Sequence, residues 1–200
     1  MASGPHGGGN LTGFNSVSSE LGAKGLALLH EVVPGAATIG FLENPSNPVF
    51  ELTTRDVLAA ASVMGLKVQR LEAHSDREIE AAFASLVETQ TSALLVGSDV
   101  FFNNRIEQVV ALAARHAIPT MYAFREFVAA GGLMGYGTSL TENYRQVGLY
   151  TSRILRGEKP ADLPVMQATK IELIINLKTA HALGLAVPDK MLALVDEVIE

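Results

Sequence analysis

The sequence predicts a doubly wound α/β fold built on a parallel sheet, because one local pattern recurs three times. ATIGFL (37–42) runs into ENPSNP, SALLV (92–96) into GSDVFFNN, and PTMYA (119–123) into FREF. Each time a short apolar run, rich in β-formers, stops at a polar or aromatic loop that opens a helical segment. Strands alternating with helices imply right-handed crossovers and a parallel sheet with helices on both faces. In open sheets of this kind the carboxyl ends of the strands border the crevice where small molecules sit. The three loops are therefore expected to line one edge of a cleft.

The elements follow in order. MASGPHGGGN is Gly-rich, and residues 1–10 are expected to be flexible. A helix from Ser19 to Val33 is stopped by Pro34-Gly35. The first long strand, Ala37 to Leu42, leads to a helix with Asn47 as N-cap and Pro48 at its first position; Val57, Ala61 and Met64 supply its apolar stripe, and Gly65 ends it. Lys67 to Leu71 is a strand. Ser75-Asp76-Arg77-Glu78 is a capping-box pattern ahead of Ile79, Phe83, Leu86 and Val87. Ala93 to Val96 is a strand, and Ile106, Val109, Val110 and Ala113 mark a helix from near Asn104 to His116. Thr120 to Ala123 and Leu133 to Tyr136 are strands, with a short helical turn, Arg125 to Ala130, between them. Ser139-Leu140-Thr141-Glu142 repeats the capping-box spacing and should open a helix reaching Arg156.

Past Gly157 the chain turns polar, with two prolines between Glu158 and Pro164. Ile171 to Ile175 is one more strand. A lone strand cannot satisfy its backbone groups, so it joins the first sheet, pairs with another chain, or belongs to a second domain.

Composition removes several function classes. With 48% hydrophobic residues in 200 the chain can bury a full core. A net charge of −6 without a basic cluster argues against nucleic-acid binding, which needs a positive face. No apolar run is long enough to span a bilayer, and Met1–Asn10 has no signal-peptide pattern. Cysteine is absent, which removes thiolate chemistry and leaves the redox compartment open. His6, His30, His74, His116 and His181 are scattered without ligand spacing, so no metal is expected. Neither a dinucleotide fingerprint, a phosphate loop nor a nucleophile elbow occurs, so no cofactor is expected.

Several stretches carry a family resemblance: Gly9-Asn10-Leu11-Thr12-Gly13, Pro34-Gly35-Ala36, Phe124-Arg125-Glu126-Phe127 with Gly131-Gly132-Leu133, the run Ile154 to Pro164, and Leu173 to Ala180. Together they resemble the substrate-binding proteins of ABC importers, specifically the family described as tryptophan/tyrosine transport binding proteins. The resemblance implies a hinged clamp of two doubly wound lobes with a solute between them, an ABC permease as partner, and a periplasmic or membrane-anchored extracytoplasmic location. It also implies that the first lobe is mostly missing. On that analogy 11–140 is one complete lobe, 141–165 a crossover helix and connector, and 166–200 a returning remnant of the other lobe. Exposed apolar surface and the strand around Leu173 to Ile175 would then drive pairing of two copies into a homodimer.

Each candidate site residue has two readings. Asp99 and Ser98, just past a strand, either face a ligand ammonium group or form the following turn. Asn44, Ser46 and Asn47 sit where free N–H groups favour a carboxylate, and equally where turns and caps need such residues. Phe101, Phe124 and Tyr136, from three successive loops, would wall an aromatic pocket, although core packing is the commoner fate of a Phe. Arg125 either forks onto a ligand carboxylate, or sits in solvent or pairs with Glu126. Phe14, Asn15 and Ser16 are possible contributors from the other side. The reading these favour is reversible binding of a small aromatic or carboxylate-bearing solute rather than an enzyme. The alternatives are a flavodoxin-like enzyme or phosphoacceptor using Asp99, for which no lysine lies between Lys67 and Lys159, and the ligand-sensing core of a regulator.

Overall fold

The computed structural model describes residues 10–15, 18–168 and 170–200; most of the N-terminal stretch expected to be flexible lies outside them. After a two-residue strand β1 (Phe14–Asn15) come α1 (Ser18–Val32), β2 (Thr38–Glu43), α2 (Phe50–Val63), β3 (Lys67–Glu72), α3 (Asp76–Glu88) and β4 (Ala93–Val96). They are followed by α4 (Val100–Asn103), α5 (Ile106–Arg115), β5 (Thr120–Tyr122), α6 (Arg125–Ala129), β6 (Met134–Thr138) and α7 (Leu140–Leu155). A 3-10 turn at Pro160–Asp162 precedes β7 (Met166–Gln167), β8 (Ile171–Asn176), α8 (Leu177–Ala182), α9 (Asp189–Leu192) and β9 (Glu197–Ile199).

Seven strands form one sheet in the order β3-β2-β4-β5-β6-β8-β9, and the pairings β2–β3, β2–β4, β4–β5, β5–β6 and β8–β9 are parallel. The predicted doubly wound α/β class is what the chain adopts. Alternation along the central strands explains why: Ile39, Phe41, Ala93, Leu95 and Met121 enter one core with Leu26 and Leu29 of α1 and Val57 of α2. Leu42, Leu94, Val96 and Tyr122 point the other way, into a second core with Ile79, Phe83 and Leu86 of α3 and Val109 of α5. Strands buried on both faces must be apolar at every position, which is why they read as continuous runs rather than alternating ones.

Three local expectations need correction. α2 starts at Phe50 with Val49 as its cap, not at Pro48. Asn47 instead closes a turn ahead of the helix, accepting the Val49 N–H on its side chain at 3.0 Å and the Phe50 N–H on its carbonyl. The Ser139–Glu142 capping box does not form either: Ser139 makes no side-chain cap, its N–H donates to the Lys170 carbonyl at 3.1 Å, and Arg145 and Gln146 take the Glu142 carboxylate. The identical spacing at Ser75 does work. There the hydroxyl accepts the Glu78 N–H, and the Glu78 carboxylate accepts the His74 N–H at 2.8 Å.

The third concerns the last segment. The chain forms two compact units: a larger one of Ser18–Gly137 with Glu172–Glu200, and a smaller one of Thr138–Ile171 with the described part of the first 17 residues. Residues 172–200 thus return to the sheet of 18–137 instead of forming a remnant of another lobe, and the boundaries at 140 and 166 move to 138 and 171. The strand from Ile171 is no orphan. It lies between β6 and β9, where Leu173, Ile174 and Ile175 are buried and its ladder groups find partners. In the smaller unit β1 pairs with β7 in parallel, Phe14 meets Tyr150 edge to face at 5.0 Å, and the Tyr150 hydroxyl donates to the Pro164 carbonyl at 3.1 Å.

Surface carboxylates give the fold a defined acid limit. Hydrogen bonds from Arg145 and Gln146 hold Glu142 down at about 2. Arg153 lowers Glu158, Arg125 lowers Glu197, and the His74 N–H lowers Glu78. A carboxyl whose folded value lies below its unfolded one stabilises the native state above the unfolded value, about 4.3 for Glu, and loses that contribution as pH falls through the folded value. The urea midpoint is accordingly expected to be flat from neutral pH to about 5 and to decline from there towards pH 2. Glu142→Gln should make the decline shallower. A midpoint that stays constant over the acid range contradicts these pairings.

Candidate functional site

The carboxyl edge of the larger unit's sheet holds the candidate site. From β2 the chain steps outward to β3, then returns to place β4 on the other side of β2, so the loops after β2 and β4 leave the edge in opposite directions. That reversal opens a crevice at the carboxyl ends of the strands. The crevice observed there is a shallow open hollow of about 20 Å³, bordered by Asn44 and Asn47 on one loop, Gly97, Ser98 and Asp99 on the other, and Phe41, Glu43, Phe50 and Thr53 beneath. That is room for about one water, so the hollow is an open surface and not an enclosed pocket.

Hydrogen bonds fix the loops. The Asn44 side chain donates to Asp99 Oδ1 at 3.0 Å, and the Asn47 side chain to Asp99 Oδ2 at 2.7 Å and to the Ser98 carbonyl at 3.3 Å. Asp99 also caps α4 by accepting the Phe101 N–H at 2.7 Å. The remaining amide oxygens accept locally, Asn44 from Ser46 N–H and Asn47 from Val49 N–H. Asn44, Asn47 and Asp99 therefore do converge, as the sequence suggests, but they spend their polar atoms on one another. Ser46 is exposed in the turn, and Ser98 is half-buried at the rim.

The aromatic residues do not converge. Phe101 and Phe124 pack against the α3/α5 core, whereas Tyr136 lies within β6 and packs against the α1/α2 core on the opposite face. Phe101 is further occupied by the Arg105 guanidinium, 3.9 Å above its ring. Burial and the nearby Asp196 charge raise the Tyr136 hydroxyl. Arg125 pairs with Glu197 of β9 and not with Glu126: its guanidinium forks onto both Glu197 oxygens, which raises it. Phe14 and Asn15 form β1 in the smaller unit, and Ser16 lies outside the described residues.

Beneath the two loops lie Phe41 and Glu43 of β2. Phe41 and Glu43 are two residues apart on β2 and so share a face. A carboxylate ending an otherwise apolar strand was the available signal. Glu43 is 4% exposed; it accepts from the Thr54 hydroxyl, one helical turn into α2, and from Arg70 Nε of β3 at 2.7 Å. The Glu43 bond is the main reason the Arg70 guanidinium is raised. The pair ties β2, β3 and α2 together directly behind Asn44.

Comparison with known proteins agrees with the fold. Three solved structures share the fold: a conserved domain protein from Vibrio cholerae, at 24% identity and TM-score 0.84 over 96% of this chain and 64% of that one; an ABC domain in complex with L-Trp from Streptococcus pneumonia, at 24% and 0.85 over 100% and 68%; and a ligand-free, open substrate binding protein with adhesive properties from Clostridium difficile, at 26% and 0.68 over 100% and 66%. The chain thus spans about two thirds of the length of these structures. No curated protein matches it. The model of ABC transporter substrate binding proteins matches residues 2–199. The chain belongs to that family.

Proposed function

We propose that the chain is the solute-binding component of an ABC importer, and that the crevice between the β2 and β4 loops is one wall of an interlobe cleft for a small aromatic or carboxylate-bearing solute. The observation that carries this is the pair of braced loops at the switch point, with the half-buried Phe50 beside them, in a chain of this family. A solute ring packs on Phe50, and the Ser46 and Ser98 hydroxyls at the rim orient its polar end. Asp99 acts as a brace, and its fully engaged carboxylate speaks against the phosphoacceptor alternative. The reading is non-enzymatic and extracytoplasmic, with an ABC permease as the partner that receives the solute. Closure of a second wall completes desolvation, as in hinged binding proteins.

Titration of the isotopically labelled chain with L-tryptophan, L-tyrosine and simple aromatic carboxylates checks this. Saturable shifts of the Gly97 and Ser98 amide signals are expected, accompanied by a rise in melting temperature. Phe50→Ala should weaken both. Unperturbed crevice amides with every one of these compounds would remove the proposal.

A further inference from the structure

The larger unit holds another hollow, lined by none of the residues that border the solute crevice. It lies between α5 and α8 and measures about 20 Å³. Thr120 and Tyr122 border it from β5, Gly132 from the turn before β6, Val110 from α5, and Thr179 and Leu183 from α8 and its end. Thr120 and Tyr122 are two residues apart on a strand and so share a face, and both are 1% exposed. The Tyr122 hydroxyl makes no hydrogen bond to any of the described residues, although the Thr120 hydroxyl is its polar neighbour. The ring is not free to turn towards another acceptor. It stacks on Phe127 at 4.8 Å, and Gly132 lies so close that a Cβ there would come within 2.5 Å of Tyr122 Cε2. Buried hydroxyls are nearly always hydrogen-bonded, to protein or to ordered water.

We propose that this hollow is the site of one internal water, which accepts from the Tyr122 hydroxyl and donates to the hydroxyl oxygens of Thr120 and Thr179. The volume suits that occupant: about 20 Å³ holds one water and is far too small for an organic solute. The count of donors and acceptors also closes. Thr120 donates to the Ile118 carbonyl at 2.9 Å and Thr179 to the Gly131 carbonyl at 2.9 Å. Each threonine has therefore spent its proton and offers only lone pairs. Tyr122 supplies the remaining proton, which it keeps because burial raises its hydroxyl. The water then makes about three hydrogen bonds, as internal waters usually do. Its partners stand on β5 and α8, so it ties the returning segment of 172–200 to the centre of the sheet.

A high-resolution crystal structure of the chain, together with the melting temperature of Tyr122→Phe, tests this. Wild-type density should show a water about 2.7–2.8 Å from Tyr122 Oη and within hydrogen-bond reach of Thr120 Oγ1 and Thr179 Oγ1. Tyr122→Phe keeps the ring and its stacking on Phe127 but removes the donor, so the melting temperature should fall by roughly 2–4 °C, the loss of one buried hydrogen bond. The sign of that change separates the two possibilities. A hydroxyl buried without any partner is a penalty, and its removal would raise the melting temperature instead. No density in the hollow, a water there beyond the reach of Tyr122 Oη, or a Phe variant that melts at or above the wild-type temperature overturns the proposal.

Discussion

Asp99→Ala should destabilise the larger unit by about 3 kcal/mol, because one carboxylate satisfies donors from three places: Asn44, Asn47 and the Phe101 N–H. Removing only the helix cap would cost about 1 kcal/mol. The rest comes from the Asn44 amide, left without its acceptor, and the Asn47 amide, reduced to its 3.3 Å contact with the Ser98 carbonyl, in a half-buried crevice. At this chain length each kcal/mol moves the melting temperature by roughly 2–4 °C, so a drop of roughly 6–12 °C is expected. Solute binding should fall with it, since the β2 and β4 loops lose their shared brace. Asp99→Asn gives an intermediate result: one oxygen still accepts from Asn44 and Phe101, but an amide now opposes the Asn47 amide. Denaturant titration of the three proteins measures the series. A loss below about 1 kcal/mol for Asp99→Ala would show that the cap alone matters.

Gly137→Ala should cost a similar amount for a different reason. A Cβ built there would lie 1.9 Å from the Ala123 carbonyl oxygen, a contact that no rotamer change relieves because the obstacle is backbone. Either β6 or the loop after β5 must shift, and overpacking of this kind costs about 1–3 kcal/mol, occasionally more. That loop continues into Phe124, so its displacement is expected to appear in the Phe124 and Arg125 amide resonances before it appears elsewhere. Gly148→Ala provides the contrast. Nothing lies within 4 Å of a Cβ at that site, and in a helix interior Ala is favoured over Gly by about 1 kcal/mol. Equal stability of the two variants under denaturant would refute the steric argument.

Much of the architecture was legible along the chain. The strand expected at Ala93 to Val96 is the one observed, because four consecutive apolar residues between a turn and a loop fit a strand buried on both faces. Other features gave no signal. α4 is only four residues long, too short for any periodicity to show. α3 and α5 turn towards the next strand through Gln90 and Ala117, both at positive φ, 53° and 51°; the usual glycine marker is missing at these two stops, and tertiary packing holds a conformation that local preference disfavours. The two Ser-x-x-Glu segments show the same limit. Their spacing is identical, but Glu142 has an arginine three residues on and a glutamine four residues on, and those neighbours win its carboxylate.

The sequence alone determined the fold class, most element positions and the edge of the sheet on which Asn44, Asn47, Ser98 and Asp99 meet, because all of these rest on local periodicity and turn chemistry. Tertiary structure decided which face each side chain takes, so that Phe101 and Phe124 separate from Tyr136. It decided that Arg125 is bound by Glu197, 72 residues away, and that the strand from Ile171 returns to the first sheet. Partnerships of that kind depend on strand order and on competition among distant groups for the same backbone and carboxylate atoms. Spacing along the chain records only neighbours, so such contests leave no trace in it.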